Sequence, residues 1–153
     1  MLCAAAFLAI SASSLLSDGG FEKPGVNRSE WRPYEQGFAV DRAQAHSGRQ
    51  SIRCTNTSSD ERKGALTIIE LNQKTAAPIV VSGWSMCKGV TGPPNTDYSI
   101  YLDLTYTDGT PLWGRAAAFS TGDSEWQQMT VTVLPSKPVK TISLHLLFRG
   151  RTG

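Results

Sequence analysis

Two stretches of this chain alternate apolar and polar residues without a break, and they limit the fold more than any other feature. In residues 98–107, Ile100, Leu102, Leu104 and Tyr106 fall on one side and Ser99, Tyr101, Asp103, Thr105 and Thr107 on the other. In residues 141–149, Ile142, Leu144, Leu146 and Phe148 oppose Thr141, Ser143, His145, Leu147 and Arg149. A side-chain period of two belongs to a strand with one buried and one open face. Two such strands predict a sheet whose back covers a core. Its front would carry Tyr101, Asp103, His145 and Arg149.

The rest of the chain is punctuated in the same style. Short apolar runs around residues 38–40, 52–54, 64–71, 79–87, 115–119 and 126–134 read as further strands. Between them lie turn signals: His46-Ser47-Gly48, Gly92-Pro93-Pro94-Asn95, Asp108-Gly109, Thr121-Gly122-Asp123 and residues 135–138. No helical period appears after residue 16. Many short strands with Gly, Pro and Asp turns predict an all-β fold, a two-sheet antiparallel β-sandwich. The 153 residues suit one domain large enough for its own core.

Charge excludes one class of partner. The net charge is only +2 and no basic run exists to track phosphates, so no nucleic acid is expected. Residues 1–14 form an apolar leader whose 2–10 run has the length of a signal-peptide core, although no Lys or Arg precedes it. It is too short to span a bilayer, so the expected localisation is secreted or extracellular, with residues 15–153 as the domain. Cys54 and Cys87 read as two buried free thiols, with a disulfide as the alternative.

Several landmarks then occur in a telling order: SDGGFE at 17–22, Trp31, HSGRQSIRC at 46–54, VSGW at 81–84, the Tyr106-Thr107-Asp108-Gly109-Thr110 turn, and WQQMTVTV at 126–133. In this order the chain resembles carbohydrate-binding modules of the family four and nine type, jelly-roll domains of the galactose-binding-like class. The resemblance runs from about residue 15 to residue 153. It implies a non-catalytic module that binds a polysaccharide or glycan, as an accessory domain of a larger glycoside hydrolase or surface protein. It also implies a structural Ca2+ near Glu22, with Gly20 and the Ser47–Arg49 turn as carbonyl donors. Calcium takes six to eight oxygens, so that set is incomplete. Such modules close with one more strand bearing an aromatic and an Asp. Here the expectation is a module lacking that strand, with an open sheet edge prone to self-association.

Sugars are held by flat aromatic faces and a few oriented polar groups. The candidate carbohydrate-binding residues are Tyr101, Asp103, Trp113, His145, Arg149 and Trp84. Trp113 lies in a turn, where burial is harder, and Tyr101 has polar neighbours on its face. For Trp84 core packing and front-face display are equally open, because its run lacks polar alternation. An ordinary solvated face with Asp–Arg or Asp–His pairs is the bland alternative for the front. Glycoside hydrolysis needs two placed carboxyls, and nothing pairs Asp103 with Glu70 or another acid. No GxSxG, HExxH or Cys–His pattern is present. The expectation is therefore no enzyme, with a structural or protein-interaction β-sandwich as the alternative and a glycosidase as a distant one.

Overall fold

The structure, a computed structural model, describes residues 14–23 and 30–153. The leader expectation lies outside the described residues. Nine strands and no helix appear in them: β1 Arg32–Pro33, β2 Ala39–Asp41, β3 Ser51–Arg53, β4 Arg62–Glu70, β5 Ile79–Val90, β6 Tyr98–Tyr106, β7 Pro111–Ala118, β8 Gly122–Val133 and β9 Val139–Arg149. They form an all-β, antiparallel, two-layer sandwich. One layer is a five-stranded sheet in the order β1-β4-β9-β6-β7. The other holds two ladders, β2–β3 and β5–β8.

The alternation places the core. Ile100, Leu102 and Leu104 of β6 and Ile142 and Leu144 of β9 are almost fully buried, as are Val131 and Val133 of β8. Side chains of this size each stabilise by about 1.5–3 kcal/mol when buried. The layers meet closely: a Cβ on Gly83 of β5 would lie 3.3 Å from Ile100 Cδ1. Cys87 is buried and Cys54 half-buried, and both are free thiols.

The two N-terminal motifs meet in space. Asp18 turns the chain: its carbonyl accepts from Phe21 N–H at 3.1 Å, and its Oδ1 accepts from Glu22 N–H at 2.7 Å. Trp31 caps this end of the core at 2% exposure, with its Nε1–H donating to Asp18 O and its ring 4.9 Å from Phe21. Glu22 then reaches across to the 46–50 turn, where its Oε1 accepts from Arg49 N–H at 2.8 Å and Gln50 N–H at 3.2 Å.

Beyond β9 the chain turns across to the second layer. Arg151 is buried, and its Nη1 donates to the carbonyls of Thr91 and Pro93. Asn56, also buried, donates through Nδ2 to the carbonyls of Phe148 and Arg151. Gly153 and Asn56 exchange two backbone hydrogen bonds of 3.0 and 2.8 Å.

Candidate functional site

The front of the five-stranded sheet gathers four of the candidate residues. Tyr101 of β6 pairs with His145 of β9, which pairs on its other side with Leu66 of β4. Asp103 is opposite Ser143, and Arg149 lies two positions along from Leu147 on the same face. All of these side chains except Leu147 are half-buried, the condition of a surface that can both hold its shape and meet a ligand.

A residue outside the candidate set completes the centre. Tyr34 follows β1 in a tight turn held by Gly37 N–H donating to Tyr34 O, with Tyr34 N–H donating to Gly64 O on β4. Its ring sits 5.7 Å from the His145 ring at 86°, and Tyr101 sits 5.9 Å from the same imidazole at 83°. His145 is thus flanked by two tyrosines, each edge-to-face with it, an arrangement favoured by the ring quadrupoles. The only sequence cue for Tyr34 was its place just after Pro33, which reads as a loop or edge.

Polar partners fix this row. Arg149 donates from Nη1 to Tyr34 Oη at 3.0 Å and from Nε to Asp97 Oδ1 at 2.9 Å. Asp103 Oδ1 accepts from Gly114 N–H at 2.9 Å. Gly114 has φ +72, a conformation that favours glycine, and lies beside Tyr101 Oη, 3.7 Å from where a Cβ would be. Burial holds His145 below its ordinary pKa, and Arg149 pushes the same way while Asp103 opposes. A neutral imidazole can both donate to and accept from a hydroxyl. Burial, with Asp103 next, raises Tyr101, which therefore stays a phenol.

The remaining candidates are dispersed. Trp113 is 69% exposed on β7, the edge strand of this sheet, at the irregularity opposite Asp103. Trp84 does not share the front. It lies on β5 of the other layer and faces away from the core, 45% exposed and stacked on His46 at 4.0 Å and 14°. Trp126 meets the same His46 ring at 5.6 Å. The inward positions of β5 are Val81, Gly83, Ser85 and Cys87, so Trp84 falls outward by alternation.

Glu22, the residue named for calcium, lies against the 46–50 turn. Glu22 is engaged by N–H donors of the 46–50 turn, and Arg49 Nε stands 3.7 Å from its Oε2. The turn therefore offers this carboxylate two N–H donors. No three His, Cys, Asp or Glu among the described residues gather as metal ligands.

With this geometry in hand, the chain can be set beside known proteins. No protein-family model matches it. Among curated proteins it is 25% identical over 123 residues to the tRNA nuclease WapA of Bacillus subtilis and to the tRNA3(Ser)-specific nuclease WapA of Bacillus spizizenii. The match takes in 76% of this chain but only 5% of each of those proteins. Among solved structures it is similar to the CBM22-1 xylan-binding domain of Paenibacillus barcinonensis Xyn10C, with TM-score 0.56 and 15% identity over 87% of this chain and 83% of that one. It is also similar to TmCBM61 in complex with β-1,4-galactotriose, with TM-score 0.54 and 21% identity over 93% and 91%. The fold is that of the β-sandwich carbohydrate-binding modules. Among the described residues no helix is long and apolar enough to cross a membrane.

Proposed function

We propose that this domain is a non-catalytic glycan-binding module that holds a β-linked polysaccharide on the front of its five-stranded sheet. The observation that carries the reading is the row Tyr34–His145–Tyr101, flanked by Arg149 and Asp103. Ring faces pack on sugar C–H surfaces, and the oriented polar groups take the hydroxyls. Trp113 on the edge strand would extend the contact. The fold neighbours are a xylan-binding domain and a domain in complex with β-1,4-galactotriose, which supports this class of ligand. The family four and nine likeness rests on the order of the landmarks from SDGGFE to WQQMTVTV, and the meeting of the first with the 46–50 turn through Glu22 supports it.

The non-catalytic part rests on the acids. Asp103 and Glu70 share the front, but they stand on β6 and β4 with β9 between, opposite Ser143 and Thr141. Two strand spacings put their Cα atoms at least about 9.6 Å apart, and Asp103 is already spent on Gly114. Secretion within a larger protein is part of the proposal and fits a domain that matches 5% of a long relative. A match to only 5% of a long protein also suits a second reading, a structural or protein-interaction module.

Affinity electrophoresis against soluble glucans, xylans, galactans and mannans tests the two readings. We expect retardation on at least one, lost in Tyr101→Ala. No retardation of the folded protein on any of them would favour the interaction module.

A further inference from the structure

Arg62 and Arg149 stand directly opposite each other where β4 pairs with β9. The same register sets Leu66 against His145, so both arginines belong to the front face that carries the tyrosine row. Side chains paired in this way have Cβ atoms about 4.5–5.5 Å apart, and like charges there destabilise the sheet. An anion between them would turn that cost into a gain.

Both arginines are held in place, and both keep donors to spare. Gln36 fixes the backbone of Arg62: its N–H donates to Arg62 O and its Oε1 accepts from Arg62 N–H, each at 3.0 Å. The exposed Arg62 guanidinium makes no ion pair or hydrogen bond among the described residues. Arg149 is steadied by Asp97 through Nε and by Tyr34 through Nη1, which leaves its Nη2 without an acceptor among the described residues.

There is room for the anion. A cleft of about 620 Å³ is lined by Arg62, Arg149, Asp97, Asp60, Ser59 and Gly150. Arg32, opposite Leu66 at this end of the front, is a third exposed cation without an ion pair among the described residues. Against the three arginines stand Asp97, bound to Arg149, and Asp60, while Lys63 and Glu61 satisfy each other at 2.9 Å. One positive charge is therefore left over. The cleft also adjoins the aromatic row, because Tyr34 touches both Arg149 and His145. His145 and Arg149 are four residues apart on β9, a span of about 13 Å.

We propose that Arg62 and Arg149 clamp the carboxylate of an acidic sugar, so that the polysaccharide held on the front is one that carries uronic acid units. This rests on the glycan-binding reading of the front and narrows its ligand. A guanidinium fork matches the two oxygens of a carboxylate, and such charge-assisted bonds are about twice as strong as neutral ones. Arg62 supplies the unoccupied fork and Arg149 the spare Nη2. A sugar hydroxyl in the same place would leave the two cations facing each other. Arg62 is thus the residue that separates acidic from neutral chains.

Calorimetric titration of the full chain with glucuronoxylan, polymannuronate and polygalacturonate, each beside its carboxyl-reduced form, tests this. We expect at least one acid form to bind about tenfold more tightly than its reduced form at low salt, with the gap narrowing as salt rises. Arg62→Gln should lose most of that preference and bind the reduced form within about twofold of the parent. Its Tm should not fall, since a like-charge pair has been removed. Lys88→Gln, an exposed cation on β5 of the other layer, should keep the preference. Acid forms that bind no better than the reduced forms overturn the proposal and leave the glycan-binding reading standing. So does a preference that survives Arg62→Gln, or one that Lys88→Gln lowers equally, which would mark unspecific charge attraction. A folded protein that binds neither form of any of the three overturns the proposal, and silence on the neutral panel as well removes the glycan-binding reading.

Discussion

The phenol oxygen of Tyr34 accepts a 3.0 Å hydrogen bond from Nη1 of Arg149, joining residues 115 positions apart at the centre of the front sheet. This bond holds the Tyr34 ring upright beside His145. Tyr34→Ala should therefore weaken glycan binding about as much as Tyr101→Ala, by roughly tenfold, or about 1.4 kcal/mol. Tyr34→Phe keeps the ring and should cost less than Tyr34→Ala, since it removes only the hydrogen bond from Arg149. Retardation coefficients on the best-bound polysaccharide would measure both. A Tyr34→Ala variant that binds like the parent would remove this residue from the site.

His145 sets a pH dependence. Its folded pKa lies below the ordinary 6.5 because burial disfavours the imidazolium. The unfolded chain thus takes up the proton first as pH falls. The stability contributed by the neutral ring is full above 6.5 and is lost as pH falls from there to the folded value. We expect denaturant midpoints of the parent to decline over that range, and those of His145→Gln to decline less. Parallel profiles would show that this group is not the one titrating.

Glu22 should act as a structural tie. Two backbone N–H groups of the 46–50 turn depend on its Oε1. Glu22→Ala should cost about 1 kcal/mol, since one of the two N–H groups is open to water. Because the Glu22 tie is made by backbone N–H donors of the turn, a chelator should leave the Tm of the parent unchanged. A fall in Tm with chelator would point to oxygens contributed from outside the described residues.

Two glycines make a matched pair. Gly64 has φ +153, and a Cβ there would lie 2.1 Å from the carbonyl oxygen of Leu146, a backbone atom of the central strand β9. Gly89 has φ +64 with nothing within 4 Å of the same position. Gly89→Ala should cost about 1–2 kcal/mol from conformation alone. Gly64→Ala carries the clash in addition and should cost about 3 kcal/mol or more, or fail to fold. Equal costs in urea unfolding would show that β4 and β9 do not approach as closely as described.

Local pattern alone determined much of this protein. The alternation in β6 and β9 named most of the buried residues, Ser99 and Leu147 being buried on the other face and Leu146 only half-buried, and placed Tyr101, Asp103, His145 and Arg149 on one face, because a side-chain period of two needs no knowledge of distant neighbours. The turns at Asp108-Gly109 and His46-Ser47-Gly48 were legible for the same reason. Tertiary structure alone decided which strands became neighbours. It set β9 between β4 and β6, brought Tyr34 from the end of β1 onto His145, and sent Trp84 to the outer face of the opposite layer. It also turned Glu22 toward N–H donors, where the motif suggested a metal ligand. Strand order and loop placement follow from long-range pairing and packing, and a run of residues carries no record of the partner it will meet across the sheet.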